Sequence, residues 1–251
     1  YPITENIWMT NSYTLSYDDI YDVGPHASEA IREAEGAALT SALGTAITYD
    51  TRNHPRNPNR GIYLQLATDF AGVGGDVKYV RLQGEGRAYY PITEDITFVG
   101  RVIAGHIEGW GGDHVRLLDL YYRGGETIRG FDRAGFGPRD LDTRDALGGQ
   151  TYWAATAEIR FPLPFIPEEL GMSGAVFADA GSLFGAGARA KELDKENKID
   201  LADDSSIRSS VGVGLLWNSP LGPLRLDYAY VLTKENYDET QAIRFGASTK
   251  F

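Results

Sequence analysis

Leu224-Arg225-Leu226-Asp227-Tyr228-Ala229-Tyr230-Val231-Leu232 decides the fold class. Leu224, Leu226, Tyr228, Tyr230 and Leu232 recur at every second position, with Arg225 and Asp227 between them. Successive side chains of an extended strand point to opposite faces, so this stretch has one apolar and one polar side. Its neighbours repeat the design. Ile207, Val211, Val213, Leu215 and Trp217 alternate with Arg208, Ser210, Gly212 and Gly214. Ile243, Phe245, Ala247, Thr249 and Phe251 alternate with Arg244, Gly246, Ser248 and Lys250.

Working upstream, the same period predicts strands near 6–18, 40–50, 61–71, 76–90, 95–109, 148–162 and 171–183, about ten in all. Among these the clearest sets Trp153, Ala155, Ala157, Ile159 and Phe161 against Tyr152, Thr156, Glu158 and Arg160. Only Ser28 to Glu35 reads as helical, and it lies inside a loop. The chain is all-β.

The connections alternate in length. Asp50 to Arg60, Pro91 to Asp95, Pro162 to Glu169 and Asn218 to Gly222 are short, while Asp18 to Leu39, Gly109 to Gly148 and Phe184 to Ser205 are long. Antiparallel strands put alternate connections at opposite ends of a sheet, and short turns at one end with long loops at the other mark a transmembrane β-barrel. Tyr89, Tyr90, Phe161, Trp217 and Phe251 fall beside the short turns, where an aromatic girdle meets a membrane interface.

Composition leaves that architecture open and closes others. The 251 residues carry 24 Lys and Arg against 35 Asp and Glu, a net charge of −11, with no Cys. That balance argues against nucleic acid as the main partner, since phosphate neutralisation needs clustered cations. Without Cys there is no disulfide scaffold, thiolate zinc site or thiol nucleophile. The longest unbroken apolar run, Tyr228 to Leu232, falls far short of the ~20 residues of a membrane helix. A transmembrane strand needs apolar residues only at alternate positions over ~10 residues, so a mean hydropathy of −0.30 is no obstacle. Tyr1-Pro2-Ile3, without an initiator Met, basic region or signal core, reads as the start of a mature or a truncated fragment.

Catalytic motifs are missing from the pattern. His26, His54, His106 and His114 are scattered without metal-ligand spacing. Gly171-Met172-Ser173-Gly174 departs from a nucleophile elbow, and Gly84-Glu85-Gly86 and Gly212-Val213-Gly214 lie within strands. Asp140, Asp142 and Asp145 have the spacing of a cation loop, but a solvated loop accounts for them better. The expectation is a protein that is not an enzyme, with no cofactor and no metal.

One loop carries chemistry of another kind. Gly124-Gly125-Glu126-Thr127-Ile128-Arg129-Gly130-Phe131 is followed by Phe136-Gly137-Pro138. Apolar residues at an exposed tip gain nothing from water, so the loop is expected to fold inward, bury Phe131 and take Arg129 with it. A buried guanidinium needs carboxylate partners, and the inward face supplies Glu158 and Asp179. The competing reading is a surface loop with an accidental Arg-Gly-Phe.

Ile128-Arg129-Gly130-Phe131, Glu158 in Ala-Glu-Ile-Arg-Phe-Pro, Asp179 in Phe-Ala-Asp-Ala-Gly, the run Trp217 to Leu224 and the terminal Phe251 together resemble the C-terminal barrel of the BamA family, the outer-membrane protein assembly factors. The resemblance covers essentially the whole chain. It implies the later part of a barrel of about 16 strands, one domain over 1–251 without the POTRA domains. It also implies insertion of β-barrel proteins through a lateral gate, with Ile128, Arg129, Gly130 and Phe131 as the plug motif and Glu158 and Asp179 holding Arg129. Ile243, Phe245, Gly246 and Phe251 would then belong to the gate strand.

The implied location is the outer membrane of a Gram-negative-type bacterium. Implied partners are lipid and lipopolysaccharide, nascent barrel proteins and accessory lipoproteins. With about ten strands the sheet would have two open edges, so it should close smaller, pair with a second copy or belong to a longer molecule. Alternatives are a related two-partner secretion or autotransporter-assembly translocase, a passive porin-like pore and, least of all, a soluble binding module.

Overall fold

Alternation of period two becomes a continuous antiparallel ladder in the computed structural model, which describes all residues except Arg56, Phe165, Glu168, Glu169, Pro220, Leu221 and 248–251. In chain order the strands are β1 (Pro2–Thr4), β2 (Ile7–Ile20), β3 (Gly36–Asp50), β4 (Gly61–Ala71), β5 (Tyr79–Pro91), β6 (Thr97–Gly109), β7 (Gly130–Phe131) and β8 (Arg139–Asp140). They continue as β9 (Thr151–Pro162), β10 (Met172–Phe184), β11 (Leu201–Ala202), β12 (Arg208–Ser219), β13 (Gly222–Thr233), β14 (Thr240–Gln241) and β15 (Ile243–Ala247). Two helices, α1 (Glu29–Arg32) and α2 (Ala188–Lys195), lie in the connections.

Eleven strands form one sheet in the order β1-β2-β3-β4-β5-β6-β9-β10-β12-β13-β15, so each pairs with its neighbour in sequence. The four two-residue strands pair separately, β8 with β11 and β7 with β14. Among the described residues β1 and β15 are the two edges, and the sheet does not close on itself.

Register fixes which face each residue takes. Leu226 pairs with Leu215 and with Phe245, and Tyr228 with Val213 and Ile243, so these apolar residues share the outer face. They stay there without cover, Tyr228 at 55% and Phe245 at 67% exposure. The inner face holds the core instead. Tyr79, Ile103, Ile107, Tyr152, Ala154 and Leu183 on the strands pack with Ile128, Phe131 and Phe136 of the 110–150 connection. Apolar outside, filled and polar inside, is the arrangement a lipid-embedded sheet requires. None of the described helices is long and apolar enough to cross a membrane.

Several expectations need correction. Tyr89 is buried at 8% and faces inward, whereas Tyr90 is exposed; neighbours on a strand cannot both join one girdle. Phe251 lies outside the described residues. The helix at 28–35 shortens to α1, and α2 sits in a segment read as pure loop. Its composition of Ala, Arg, Lys, Glu and Leu suits a helix, and Ala190 and Leu193 bury against Ala30 and Leu147. The loop sorting is also less strict than read, because 72–78 is a short connection on the long-loop end. Asp140 is not part of a solvated loop. It is buried and accepts from the Asp142 N–H, while Asp145 accepts from the Ser28 N–H at 2.7 Å.

Candidate functional site

The 110–150 connection turns back between the walls of the sheet, and local sequence explains how. Thr127 N–H and Ile128 N–H both donate to the Gly124 carbonyl, closing a tight turn that aims Arg129 at the wall. Gly130 adopts φ +97°, in the left-handed region that favours glycine. A Cβ there would stand 2.9 Å from Val231 Cγ2, so the backbone lies directly against β13. Phe131 then inserts into the core, edge-on to Phe136 with centroids 5.3 Å apart.

Arg129 meets three strands at once. Its Nε donates to Asp179 Oδ2 and its Nη2 to Asp179 Oδ1, both at 2.7 Å, a two-pronged pairing reinforced by the Arg129 N–H on Oδ2 at 3.1 Å. Nη1 donates to Glu158 Oε2 at 2.7 Å and stands 3.9 Å from Asp227 Oδ1. Beneath the guanidinium lies the Phe177 ring, 3.4 Å from its centroid to Cζ. Register supplies this stack: Phe177 pairs with Glu158 on one side and Gly212 on the other, and a Cβ at Gly212 would strike the ring at 2.4 Å. Glycine at 212 is what lets the aromatic lie flat under the cation.

Glu158 is shared by three guanidiniums. Arg160 Nε donates to Oε1 at 2.8 Å and Arg225 Nη2 to Oε2 at 2.7 Å, beside Arg129. Arg225 also pairs through Nε with Asp227. With Glu158 and Asp179 nearly fully buried, unpaired charge here would be costly, and the network leaves each carboxylate partnered. Arg160, Arg225, Asp227 and Phe177 escaped the sequence reading. A signal was present, since each lies two residues from a recognised or inward position: Glu158 and Arg160, Phe177 and Asp179, Arg225 and Asp227.

The plug is tied to the last connection as well. Strand β7 pairs with β14, and Asp132 N–H and Glu239 N–H bond to the carbonyls of Glu239 and Gly135. Arg139 Nη1 donates to Glu239 Oε1 at 2.8 Å. At the root of that connection the buried Arg208 pairs with Asp238 and Asp204, and the Tyr237 hydroxyl donates to Asp204. Burial pushes the Asp204 carboxyl up, but bonds from Ser206 and Tyr237 outweigh it and hold the group down at about 2.

The residues read as a gate strand are at the sheet edge. Ile243 and Phe245 face outward, and Gly246 lines an interior cavity with nothing closer to its Cβ position than the Arg225 carbonyl at 4.0 Å. No group of three His, Asp or Glu suited to a metal ion is found among the described residues. His106 is bonded to Thr151 and His54 to the Asn57 N–H.

The superfamily domain described as Omp85 matches residues 1–251, the whole chain. The chain belongs to the Omp85 superfamily. Within it, this Omp85 chain is 31% identical over 252 residues to the outer membrane protein assembly factor BamA of Neorickettsia risticii, covering 100% of this chain and 33% of that protein. It is 30% identical over 261 residues to the human sorting and assembly machinery component 50 homolog, covering 98% of this chain and 53% of the relative. The crystal structure of BamA from Haemophilus ducreyi lacking POTRA domains 1–3 superposes with a TM-score of 0.79 at 22% identity, over 98% of this chain and 51% of that one. The fold is thus that of part of a BamA barrel, and the chain spans a third to a half of the length of these relatives.

Proposed function

We propose that this chain is the barrel module of an outer-membrane protein assembly factor, folding and inserting β-barrel proteins into the outer membrane of a Gram-negative-type bacterium. The observation that carries the reading is Arg129, held by Asp179, Glu158 and Phe177 inside a sheet whose outer face is uncovered and apolar. Relatives named as assembly factors support it. A filled interior supports an insertase over a passive pore, because Phe131, Phe136 and Ile128 occupy the space an aqueous channel needs.

The work would be done by an edge. A strand entering lipid leaves backbone N–H and C=O groups unpaired until another docks, at several kcal/mol for each group. An openable seam offers those partners by β-augmentation. Here Ile243, Phe245 and Gly246 of β15 supply one side of that seam, and nascent barrel proteins are the clients. Lipid, lipopolysaccharide and accessory lipoproteins are the accompanying partners of the full-length protein.

The test is insertion of a client barrel into liposomes by the full-length protein carrying Arg129→Ala. Impaired insertion with the strands still formed is expected; wild-type insertion overturns the role given to Arg129. Single-channel conductance that is low, and rises on deleting 128–136, is expected of a plugged insertase. Large constitutive conductance would instead mark a pore.

A further inference from the structure

Below the plug, toward the end of the short turns, the inner face lines a half-open cavity of about 710 Å³. Gly125, Glu126, Thr127 and Arg129 form its roof, and Tyr89, Val99, Arg160 and Gly246 bring its walls close to the short turns. Its lining is cationic in a chain of net charge −11. Arg87, Arg101, Arg129, Arg160, Arg225 and Arg244 face it, against the carboxylates of Glu126, Glu158 and Asp227.

The pairing of these arginines is incomplete. Arg87 and Arg101 both direct Nε to the same oxygen, Glu85 Oε1, at 2.8 Å. Arg160 directs only its Nε to Glu158. The Nη groups of Arg101 and Arg160 have no hydrogen-bond partner among the described residues, and both side chains are partly open to the cavity. A planar guanidinium with a free edge is a carboxylate receptor, and every one already paired here is paired to a carboxylate.

We propose that this chamber binds the carboxylate side chains of a polypeptide segment entering from the short-turn end. The space is far larger than a single phosphate. Glu126, Glu158 and Asp227 would repel a compact polyanion, whereas single carboxylates spaced along a chain can each take a free guanidinium edge. The choice of a polypeptide rests on the assembly-factor reading; the oxyanion chemistry does not.

The test is calorimetric titration of the full-length protein in lipid nanodiscs with an acetylated, amidated peptide whose glutamates are spaced apart by glycine and serine, alongside the same peptide with glutamine at those positions and inorganic phosphate. The acidic peptide should bind, weaken at higher salt, and lose roughly five-fold in affinity in Arg101→Gln, the scale of one solvent-accessible charge pair. Arg101→Lys, which keeps the charge without the fork, should fall between. Equal binding of the two peptides overturns the proposal, as does an Arg101→Gln variant of unchanged affinity whose heat-modifiable gel migration shows an intact barrel. Phosphate binding that matches the peptide site for site overturns the polypeptide assignment. Peptide binding without any liposome insertion would sink the assembly-factor reading and leave the chamber; insertion without peptide binding would do the reverse.

Discussion

Asp179 receives Arg129 through both carboxylate oxygens, at 2.7 Å each, although the two residues lie fifty positions apart and on separate elements. The bond joins a loop to a wall, so its loss should free the plug without dissolving the sheet. Removing one partner leaves a buried charge unpaired, which costs about 3–5 kcal/mol. Asp179→Asn and Arg129→Ala should each destabilise on that scale, and the double variant by clearly less than the sum. Guanidinium unfolding of the four proteins reads the coupling, and additive losses would show that the pair is not one unit.

Gly130 presses against the barrel wall at Val231 with φ +97°. Gly130→Ala should cost about 1–3 kcal/mol from backbone strain and overpacking. Proteolysis within 110–150 should accelerate. Adding Val231→Ala makes room but leaves the strained φ, so rescue should be partial; full rescue would mean that φ contributes nothing.

Acid should loosen the clamp on the last connection. The Asp204 carboxyl is held down at about 2, below its ordinary value near 3.9. A depressed carboxyl stabilises fully above that ordinary value and loses its contribution as pH falls toward about 2. Amide exchange at 234–242 should therefore be flat from pH 8 to 5 and should quicken below about pH 4, after correction for intrinsic rates. Asp204→Asn should be quick throughout, and an unchanged profile in that variant would assign the acid effect to another group.

Gly246 has open space where a side chain would stand. Gly246→Ala should fit and should stabilise the β13–β15 pairing by about 0.5–1 kcal/mol. If the seam at β15 must part during insertion, the rate in liposomes should fall by about two- to five-fold. Faster insertion would argue against a seam at this strand.

The strands were legible because period two is a local property. Leu226, Tyr228 and Ile243 announce an outer face from spacing alone, and the exposed positions follow that spacing. Arg129, Glu158 and Asp179 could be paired on paper by asking what a buried guanidinium needs. Arg225 and Phe177 could not be ranked among the many inward residues, because register across strands, not spacing, sets them around Glu158, whereas Arg160 stands two residues from Glu158 on the same strand. Tyr89 shows the opposite error: nearness to a turn suggested lipid, while strand parity turned it inward.

By itself, the order of residues determined an antiparallel sheet with an apolar outside, short turns at one end and an arginine loop in need of acidic partners. Those follow from alternation and from the cost of unpaired charge, which act within a few residues. Only the three-dimensional arrangement decided that three guanidiniums converge on Glu158, that the plug is laced to Thr240 and Gln241, and that an arginine-walled chamber lies beneath it. Such meetings depend on register and curvature summed across many strands, quantities that no single segment encodes.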